Sequence, residues 1–295
     1  MATALRKQCP SSIDLIIDFL SFGSRFEYQI TNAGFNIVSA QPRVKGISVA
    51  HDLGWDWPEF FGSEETEKSF IDGQLVAFRL LKPDVVFHGM WAPASIAARL
   101  LGIRTINFLP GPISLFDMNM ADLNLLNDHP VFYQEYLYRL PKNIVLTGPL
   151  YAASNDELDE DIATHLKTDS GASILVTMGS SGTEEFLFEA IRALRLDHSD
   201  DWSAVVLASK SICSTDKARE VAGGDPRLLV TERFIPASAA NALADLVVGH
   251  GGQGTVQCAL AAGKPIVGVA LQVEQQTNLD NAMNTGAAVR VQKQS

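Results

Sequence analysis

Cysteine is scarce in this sequence, and the spacing of the few cysteines excludes two common architectures. Only Cys9, Cys213 and Cys258 occur among 295 residues, and no two of them form a CxxC pair. An odd number of widely separated thiols builds neither a disulfide framework nor a zinc site. We therefore expect a protein without a metal site that works in a reducing compartment, and we assign it to the cytoplasm.

Positive charge and long apolar runs are also scarce. Lys and Arg number 23 against 34 Asp and Glu, which gives a net charge of −11, and no basic stretch exceeds the Arg6-Lys7 pair. A nucleic-acid partner needs a positive face, so we expect no nucleic-acid partner. No apolar run approaches the roughly 20 residues that cross a bilayer, so we expect no membrane span. The first residues also lack the order of a signal peptide.

The sequence does contain a regular alternation of apolar strands and helices, in a chain of a length typical of two domains. This alternation predicts parallel sheets with right-handed crossovers, and hence an α/β protein with two Rossmann-like, doubly wound domains. The acidic run at 154–161 marks the boundary between them. We predict an N-terminal domain over residues 1–150, an acidic linker and helix start over 151–171, and a C-terminal domain over 172–295.

Apolar periodicity places the elements along both halves of the chain. In the first half it predicts strands at 13–19, 35–38, 85–87, 104–108 and 143–146, with helices at 25–32, 64–81 and 94–101. In the second half it predicts strands at 173–178, 204–208, 228–230, 246–249, 265–269 and 288–291, with helices at 184–194 and 255–262 among others. Ligands bind beyond the carboxyl ends of such strands, so the loops after Met178, Val230 and Gly249 should share one edge.

The most informative segment is the glycine-rich turn at residues 250–255, HGGQGT, which lies between a strand and an Ala-rich helix. Gly251, Gly252 and Gly254 allow a tight turn and bring a ligand close to main-chain N–H groups. The helix that follows offers unpaired N–H groups and the positive end of its dipole. His250 and Thr255 add side-chain donors. A turn of this kind predicts a phosphate or diphosphate site.

Three further loops of the second half carry candidate ligands, each with an ordinary alternative. Gly179-Ser180 lies in a GSSG turn that is either a smaller phosphate cradle or a plain tight connection. The ring in Phe234-Ile235 either packs in the core or provides a platform for a planar base. Glu274-Gln275 offers an acceptor and an amide for sugar hydroxyls, or else is a solvated helix start.

Taken together, the order strand–GSxG, strand–FIP, strand–HGGxGT and strand–loop–EQxxN resembles the nucleotide-sugar-dependent glycosyltransferases of the GT-B fold, in the UDP-glycosyltransferase (family 1) group. The resemblance covers most of the chain and is strongest over residues 227–290. It implies two domains that face each other across a cleft, the second of which holds the donor. The implied donor site consists of Gly179, Ser180, Phe234, Ile235, His250, Gly252, Gly254, Thr255, Glu274, Gln275 and Asn278.

The resemblance assigns a task to each part of that site. The HGGxGT turn and Gly179-Ser180 would hold the diphosphate, Phe234-Ile235 would contact the base, and the EQxxN segment would hold the transferred sugar. The implied reaction inverts the configuration at the anomeric carbon and uses neither metal nor cofactor. Its donor would be a nucleoside-diphosphate sugar of the UDP type, and its acceptor the hydroxyl of a small molecule. The loop at 108–112 and three tryptophans would border an apolar acceptor cleft, namely Trp55, Trp57 and Trp91.

The chain also departs from the family pattern. Cys258 stands eight residues after His250, where members often have a glutamate for the ribose, and Ala237 replaces a frequent glutamine. The family's opening strand and its base histidine have no match, since no histidine precedes position 50. We therefore expect a first domain that lacks its opening strand, in a chain shortened at both ends. His88 is the candidate substitute base, because a neutral imidazole suits that task, or else it only lines the cleft or is held by backbone groups.

These observations leave several functions open. The first is a glycosyltransferase that uses a nucleoside-diphosphate sugar. The alternative is a catalytically impaired GT-B remnant that binds nucleotide or partners an active transferase. A third is an epimerase of nucleotide sugars, which the EQxxN segment disfavours. A dinucleotide oxidoreductase is disfavoured because no GxGxxG turn follows an early strand with an acidic residue about 20 positions later.

Overall fold

The computed structural model describes residues 1–24, 26–44, 64–89, 92–109, 121–135, 137–150, 157–167, 171–179 and 181–292. The chain divides into two compact units. The first comprises Met1–Phe108 with Asn119–Asn124, and the second comprises Leu109–Met118 with Leu125–Ser295. The domain limits at 150 and 172 stay a prediction. Residues 151–156 and 168–170 of the predicted linker lie outside the described residues.

The first unit begins with a helix and then alternates. Its elements are α1 (Ala2–Gln8), β1 (Asp18–Ser21), α2 (Glu27–Asn32), β2 (Asn36–Ser39), α3 (Glu64–Leu81), β3 (Val85–His88), α4 (Ala92–Leu100) and β4 (Arg104–Leu109). β1 and β2 form a parallel pair in which Phe19 lies opposite Ile37. The prediction of a strand from residue 13 is wrong, because Ile13 and Ile16 lie exposed ahead of β1. Apolar spacing alone does not bury a segment that has no partner strand.

A four-stranded sheet has the order β3-β4-β5-β6, where β5 is Leu123–Leu126 and β6 is Ile144–Leu146. Two 3-10 helices, Pro130–Tyr133 and Leu137–Arg139, lie between β5 and β6. The sequence pattern does not predict β5, because Asn124 is fully buried and interrupts the apolar periodicity. Its side-chain oxygen accepts a hydrogen bond from Asn107 on β4, at 3.5 Å.

The second unit contains a six-stranded sheet with the order β12-β11-β10-β7-β8-β9, and each recorded strand pair in it is parallel. Its elements are α5 (Glu160–Leu166), β7 (Ala172–Thr177), α6 (Glu184–Leu196), β8 (Trp202–Leu207), α7 (Thr215–Ala222), β9 (Leu228–Thr231), α8 (Ala237–Leu243), β10 (Leu246–Gly249), α9 (Gln253–Ala261), β11 (Ile266–Gly268), α10 (Val273–Asn284) and β12 (Ala288–Arg290). The chain winds outward from β7 to β9 and then returns to β10 on the other side of β7. The predicted α/β class with parallel, doubly wound strands is confirmed here.

Both faces of this sheet are covered, which is why its central strands read as continuous apolar runs. Val176 and Val206 point into a cluster with Leu187 and Ile191 of α6. On the other side, Leu175 and Val205 pack with Ile162 and Leu166 of α5. A third cluster joins Val247 to α9 and α10 through Val256 and Leu279. The loops at the carboxyl ends of β7 and β10 are therefore held by rigid elements on each side.

None of the helices in the described ranges is both long enough and apolar enough to cross a membrane.

Candidate nucleotide-sugar site

The predicted glycine turns meet at the point where the winding of the six-stranded sheet reverses. β7 and β10 are neighbours, with Gly249 opposite Thr177, and the chain leaves this pair in opposite directions across the sheet. In open α/β sheets, ligands bind in the crevice outside the strand ends at such a reversal. Met178 and Gly179 follow β7 directly and residues 250–254 follow β10 directly, so the structure brings the starts of both turns to the same edge.

His250 lies at the centre of this edge, with its ring held between two glycines. It is only 4% exposed. A Cβ atom on Gly179 would lie 2.6 Å from His250 Cε1, and one on Gly252 would lie 2.5 Å from His250 Nε2. Any larger residue at either position would collide with the imidazole. The two glycines that the sequence singles out are thus required by the packing of the histidine, in addition to any ligand.

Burial also sets the charge of His250. The loss of solvent around its ring lowers the pKa of His250 to about 4, so the imidazole is neutral near pH 7. Its buried Nδ1 has no hydrogen-bond partner among the described residues. A buried, unpartnered ring nitrogen is a site where one more polar contact would stabilise the structure. His250 can therefore contribute a directed hydrogen bond to a ligand while carrying no charge of its own beforehand.

The other glycines of the turn are explained by different features of the structure. Gly251 has a φ of +82°, and a Cβ there would lie 2.7 Å from Leu279 Cδ1, so both backbone and packing require it. Gly254 is the second residue of α9, and its Cβ would meet no described atom within 4 Å. Neither backbone nor packing of the described residues explains Gly254. The space beside the first turn of α9 is open, and Thr255 lies half-buried next to it.

The EQxxN segment begins α10 and ties the two turns together. Gln275 is fully buried, its Oε1 accepts from the Leu271 amide at 2.8 Å and its Nε2 donates to Ser181 Oγ at 3.4 Å. Asn278 Nδ2 donates to the Gly251 carbonyl at 3.1 Å and to a carboxylate oxygen of Glu274. The alternative of a solvated helix start is therefore wrong for this segment. Its amides hold the shape of the glycine turns.

Glu274 is the member of this segment that faces the first turn of α9. The backbone N–H of Gln253, the first residue of that helix, donates to its carboxylate. Burial raises the pKa of Glu274, the negative charge of Asp128 raises it further, and the bonds from Asn278 and Gln253 oppose both effects. A carboxylate thus lies at the positive end of α9, where an anionic group is favoured.

Asn127 and Asp128 belong to this site, although sequence reasoning missed them. The Asn127 carbonyl accepts from Gln253 Nε2 at 2.6 Å and from Gln257 Nε2 at 2.8 Å. Asp128 is 2% exposed and accepts from Tyr133 at 2.7 Å, and burial raises the pKa of its carboxyl. The available signal was an Asn-Asp pair placed directly after the apolar Leu125-Leu126. Only the fold indicates that this pair reaches α9.

The loop after β9 presents an aromatic ring to solvent. Phe234 is 99% exposed, whereas the next residue, Ile235, is 7% exposed. The alternative that Phe234 packs in the core is therefore wrong. Full burial of such a ring contributes about 1.5–3 kcal/mol, so its exposure forgoes a large stabilisation.

His88 ends β3 in the first unit and is 6% exposed. Its Nδ1 donates to the Gly89 carbonyl at 2.7 Å, and its buried Nε2 has no hydrogen-bond partner within the described ranges. Burial lowers the pKa of His88, and the positive charge of Arg99 acts in the same direction. The imidazole is therefore neutral, and its Nδ1 is held by a backbone carbonyl.

Several predicted positions fall elsewhere. Cys258 is buried in α9, where burial raises the pKa of its thiol. Ser180, the tryptophans of the predicted acceptor cleft (Trp55, Trp57 and Trp91) and residues 110–112 lie outside the described residues.

The chain is similar in sequence to known glycosyltransferases. Residues 173–295 match the family described as the glycosyltransferase family 28 C-terminal domain. A PGL/p-HBAD biosynthesis glycosyltransferase of Mycobacterium tuberculosis is 27% identical over 233 residues, which cover 79% of this chain and 48% of that protein. The oleandomycin glycosyltransferase of Streptomyces antibioticus is 22% identical and covers 78% of this chain and 64% of its own length. The chain thus spans about half to two thirds of these relatives.

The fold has close counterparts among solved structures. The glycosyltransferase of kitacinnamycin superposes with a TM-score of 0.68 at 19% identity, over 94% of this chain and 78% of its own. At that identity the likeness establishes the fold alone. The resemblance to GT-B glycosyltransferases is confirmed, and the narrower assignment to family 1 stays a prediction. Residues 173–295 match the glycosyltransferase family 28 C-terminal domain, and the chain has the fold of the GT-B glycosyltransferases.

Proposed function

We propose that this protein transfers a sugar from a nucleoside-diphosphate sugar, of the UDP type, to the hydroxyl of a small-molecule acceptor. The reaction inverts the anomeric carbon and requires no metal ion or cofactor. The observation that carries the proposal is the open space beside Gly254 at the start of α9, at the reversal point of the sheet. A glycine that no described neighbour requires is explained by a ligand that approaches the main chain closely.

The diphosphate is the part of the donor that this space fits best. The N–H of Gln253 donates to Glu274, and the remaining first-turn N–H groups of α9 together with the dipole of the helix favour an anion there. Neutral His250 would add a hydrogen bond through its ring, whose Nε2 lies next to Gly252, the N-cap residue of α9. These donors would neutralise the charge that grows on the leaving diphosphate in the transition state.

The sugar and the base have supporting groups on either side. Glu274 contacts the first turn of α9, and in this proposal its carboxylate accepts hydrogen bonds from sugar hydroxyls next to the diphosphate. Gln275 and Asn278 hold the loops around it. The exposed ring of Phe234 offers a platform for a planar base.

The acceptor hydroxyl must lose a proton during the transfer, and His88 is the proposed base. Its Nδ1–H donates to Gly89, which leaves Nε2 as the unprotonated nitrogen of the ring. That tautomer is the one that accepts a proton through Nε2. Since Nε2 is buried, this role requires that the acceptor reaches it when bound.

The direct test is calorimetry of the full chain with UDP, dTDP and ADP. We expect UDP to bind, and His250→Asn to weaken its binding at least tenfold. His198→Ala, which removes an exposed histidine, serves as the control. Failure of a folded sample to bind any of these nucleotides would remove the donor-site argument.

Turnover is tested separately, by UDP release from UDP-glucose with a panel of small alcohols and phenols. His88→Ala should lower the rate about 100-fold or more if His88 is the base. An unchanged rate would exclude His88 from that role. UDP binding without any release or transfer would favour the nucleotide-binding remnant instead.

A further inference from the structure

The loop between β9 and α8 holds its exposed ring between two anchored residues. Phe234 itself makes almost no contact with the protein, since it is 99% exposed. A ring in such a position keeps its direction only if the backbone on both sides is fixed. The residues before and after it, Arg233 and Ile235, provide that fixation in different ways.

Ile235 is the apolar anchor. It is buried in a cluster with Ile162 and Leu166, which are the two fully buried side chains of α5. Ala240 of α8 belongs to the same cluster. The residue that follows the ring is therefore packed against α5 from inside the unit.

Arg233 is the polar anchor, and it uses three separate nitrogens. Its Nε donates to Thr231 Oγ1 at 3.1 Å, its Nη1 donates to Asp159 Oδ2 at 2.7 Å, and its Nη2 donates to Asp161 Oδ2. The backbone N–H of Arg233 also donates to Thr231 Oγ1, at 3.1 Å. The planar fork of a guanidinium gives such a set a defined orientation that a lysine cannot reproduce.

The two carboxylates that Arg233 bridges lie on a fixed support. Asp159 is the N-cap residue of α5, yet its side chain makes no capping hydrogen bond and is directed to Arg233 instead. The other end of α5 is held by Ser203 Oγ, which donates to the His165 carbonyl at 2.6 Å. The same short helix therefore holds the loop through Arg233 on one side of the ring and through Ile235 on the other.

The exposure of these ion pairs indicates that they contribute more to the geometry of the loop than to the stability of the fold. The side chains of Arg233, Asp159 and Asp161 are 41%, 59% and 54% exposed. Exposed pairs of this kind contribute little to the free energy of unfolding. The hydrogen bond to Asp161 raises the pKa of Arg233, and the same bond lowers the pKa of Asp161, so both groups stay charged near neutral pH. A charged three-point contact that adds little stability still restricts the geometry of the loop.

We propose that Arg233 is a positioning residue of the donor site. By bridging Asp159 and Asp161 it holds Phe234 in the orientation in which the ring stacks on the base of the bound nucleotide. Arg233 does not contact the nucleotide in this arrangement and acts through Phe234. The inference rests on the proposed function, because it requires that a nucleotide is the ligand.

The experiment compares two probes by calorimetry of the full chain, UDP and inorganic pyrophosphate. Phe234→Ala should weaken UDP binding about tenfold, since stacking of a base on an aromatic ring contributes substantially to the binding free energy. Arg233→Met should weaken UDP about three- to tenfold and change pyrophosphate less than about twofold. Arg233→Lys keeps the positive charge and loses the planar guanidinium fork, so its affinity for UDP should lie between that of Arg233→Met and that of the parent. Arg192→Met removes an exposed ion pair within α6 and is the matched control.

The double variant decides whether Arg233 acts through the ring. In a Phe234→Ala background, Arg233→Met should change UDP affinity by less than about twofold, because no ring remains to position. Equal loss for UDP and pyrophosphate, an additive loss in the double variant, or an unchanged UDP affinity would each overturn the inference while the proposed function stands. A folded parent chain that binds no UDP would overturn both.

Discussion

Replacement of Gly254 by alanine should separate folding from nucleotide binding in this protein. Gly254 is the second residue of α9, and a Cβ there would meet no described atom within 4 Å. Alanine is more favourable than glycine inside a helix by about 0.5–1 kcal/mol. Because the site is near the helix start, we expect the lower end of that range. This corresponds to a rise in Tm of about 1–2 °C for a unit of this size.

The same methyl group should weaken the ligand contact. It would enter the open space beside the first turn of α9, where the diphosphate must approach the main-chain N–H groups. Loss of one charge-assisted hydrogen bond costs about 1.5–3 kcal/mol, so UDP affinity should fall between tenfold and roughly a hundredfold. Thermal unfolding of Gly254→Ala without ligand, followed by calorimetry with UDP, measures both effects on one sample.

Gly252→Ala is the matched comparison in the same turn. Its Cβ would lie 2.5 Å from His250 Nε2, so this variant should lose stability as well as UDP affinity. A Gly254→Ala chain that binds UDP as tightly as the parent would refute the idea that open space at this position is kept for a ligand. A loss of stability equal to that of Gly252→Ala would refute the geometric reasoning instead.

Two further predictions concern stability. The pKa of His250 is about 4 in the folded chain and near 6.5 when unfolded, so the unfolded state binds more protons between these values and stability falls as pH falls through that window. From pH 7 to pH 5 this costs about 2 kcal/mol, measured by urea denaturation, and a His250→Asn chain with the same pH dependence would contradict the assignment. Asn278→Ala leaves the Gly251 carbonyl without its donor and should lower the free energy of unfolding by about 1–3 kcal/mol. The exposed neighbour change Gln276→Ala should leave it unchanged, and equal effects of the two changes would argue against a tie between the loops.

The second half of the chain was the easier half to predict because its strands are buried on both faces. The predicted strand at 246–249 coincides with β10, and the other five overlap their observed counterparts within about two residues. Errors concentrate where polarity and burial disagree. Asn124 is buried and hides β5, whereas Ile13 and Ile16 are apolar and lie exposed. Apolar periodicity depends only on the identity of each side chain, and it contains no information on which neighbouring residues will bury that side chain in the fold.

The candidate site divides along the same line. Local chemistry was enough to single out the HGGxGT turn, the EQxxN segment and the aromatic residue of the FIP loop, because clustered glycines, paired amides and an aromatic at a strand end are unusual in loops. The separate role of each residue could not be predicted from the sequence. That Gln275 and Asn278 hold loops, that Gly179 and Gly252 are required by His250, and that Asn127 reaches α9 all depend on contacts between distant segments.

The sequence by itself determined the parallel α/β class and a glycine-rich turn between a strand and a helix, since both follow from local spacing and backbone freedom. Tertiary structure decided the rest. It set β7 beside β10, which brings the two turns together, and it buried His250 deeply enough to keep the imidazole neutral. It also left Phe234 exposed between two anchors. Burial and long-range pairing are properties of the packed chain, and no single segment carries them.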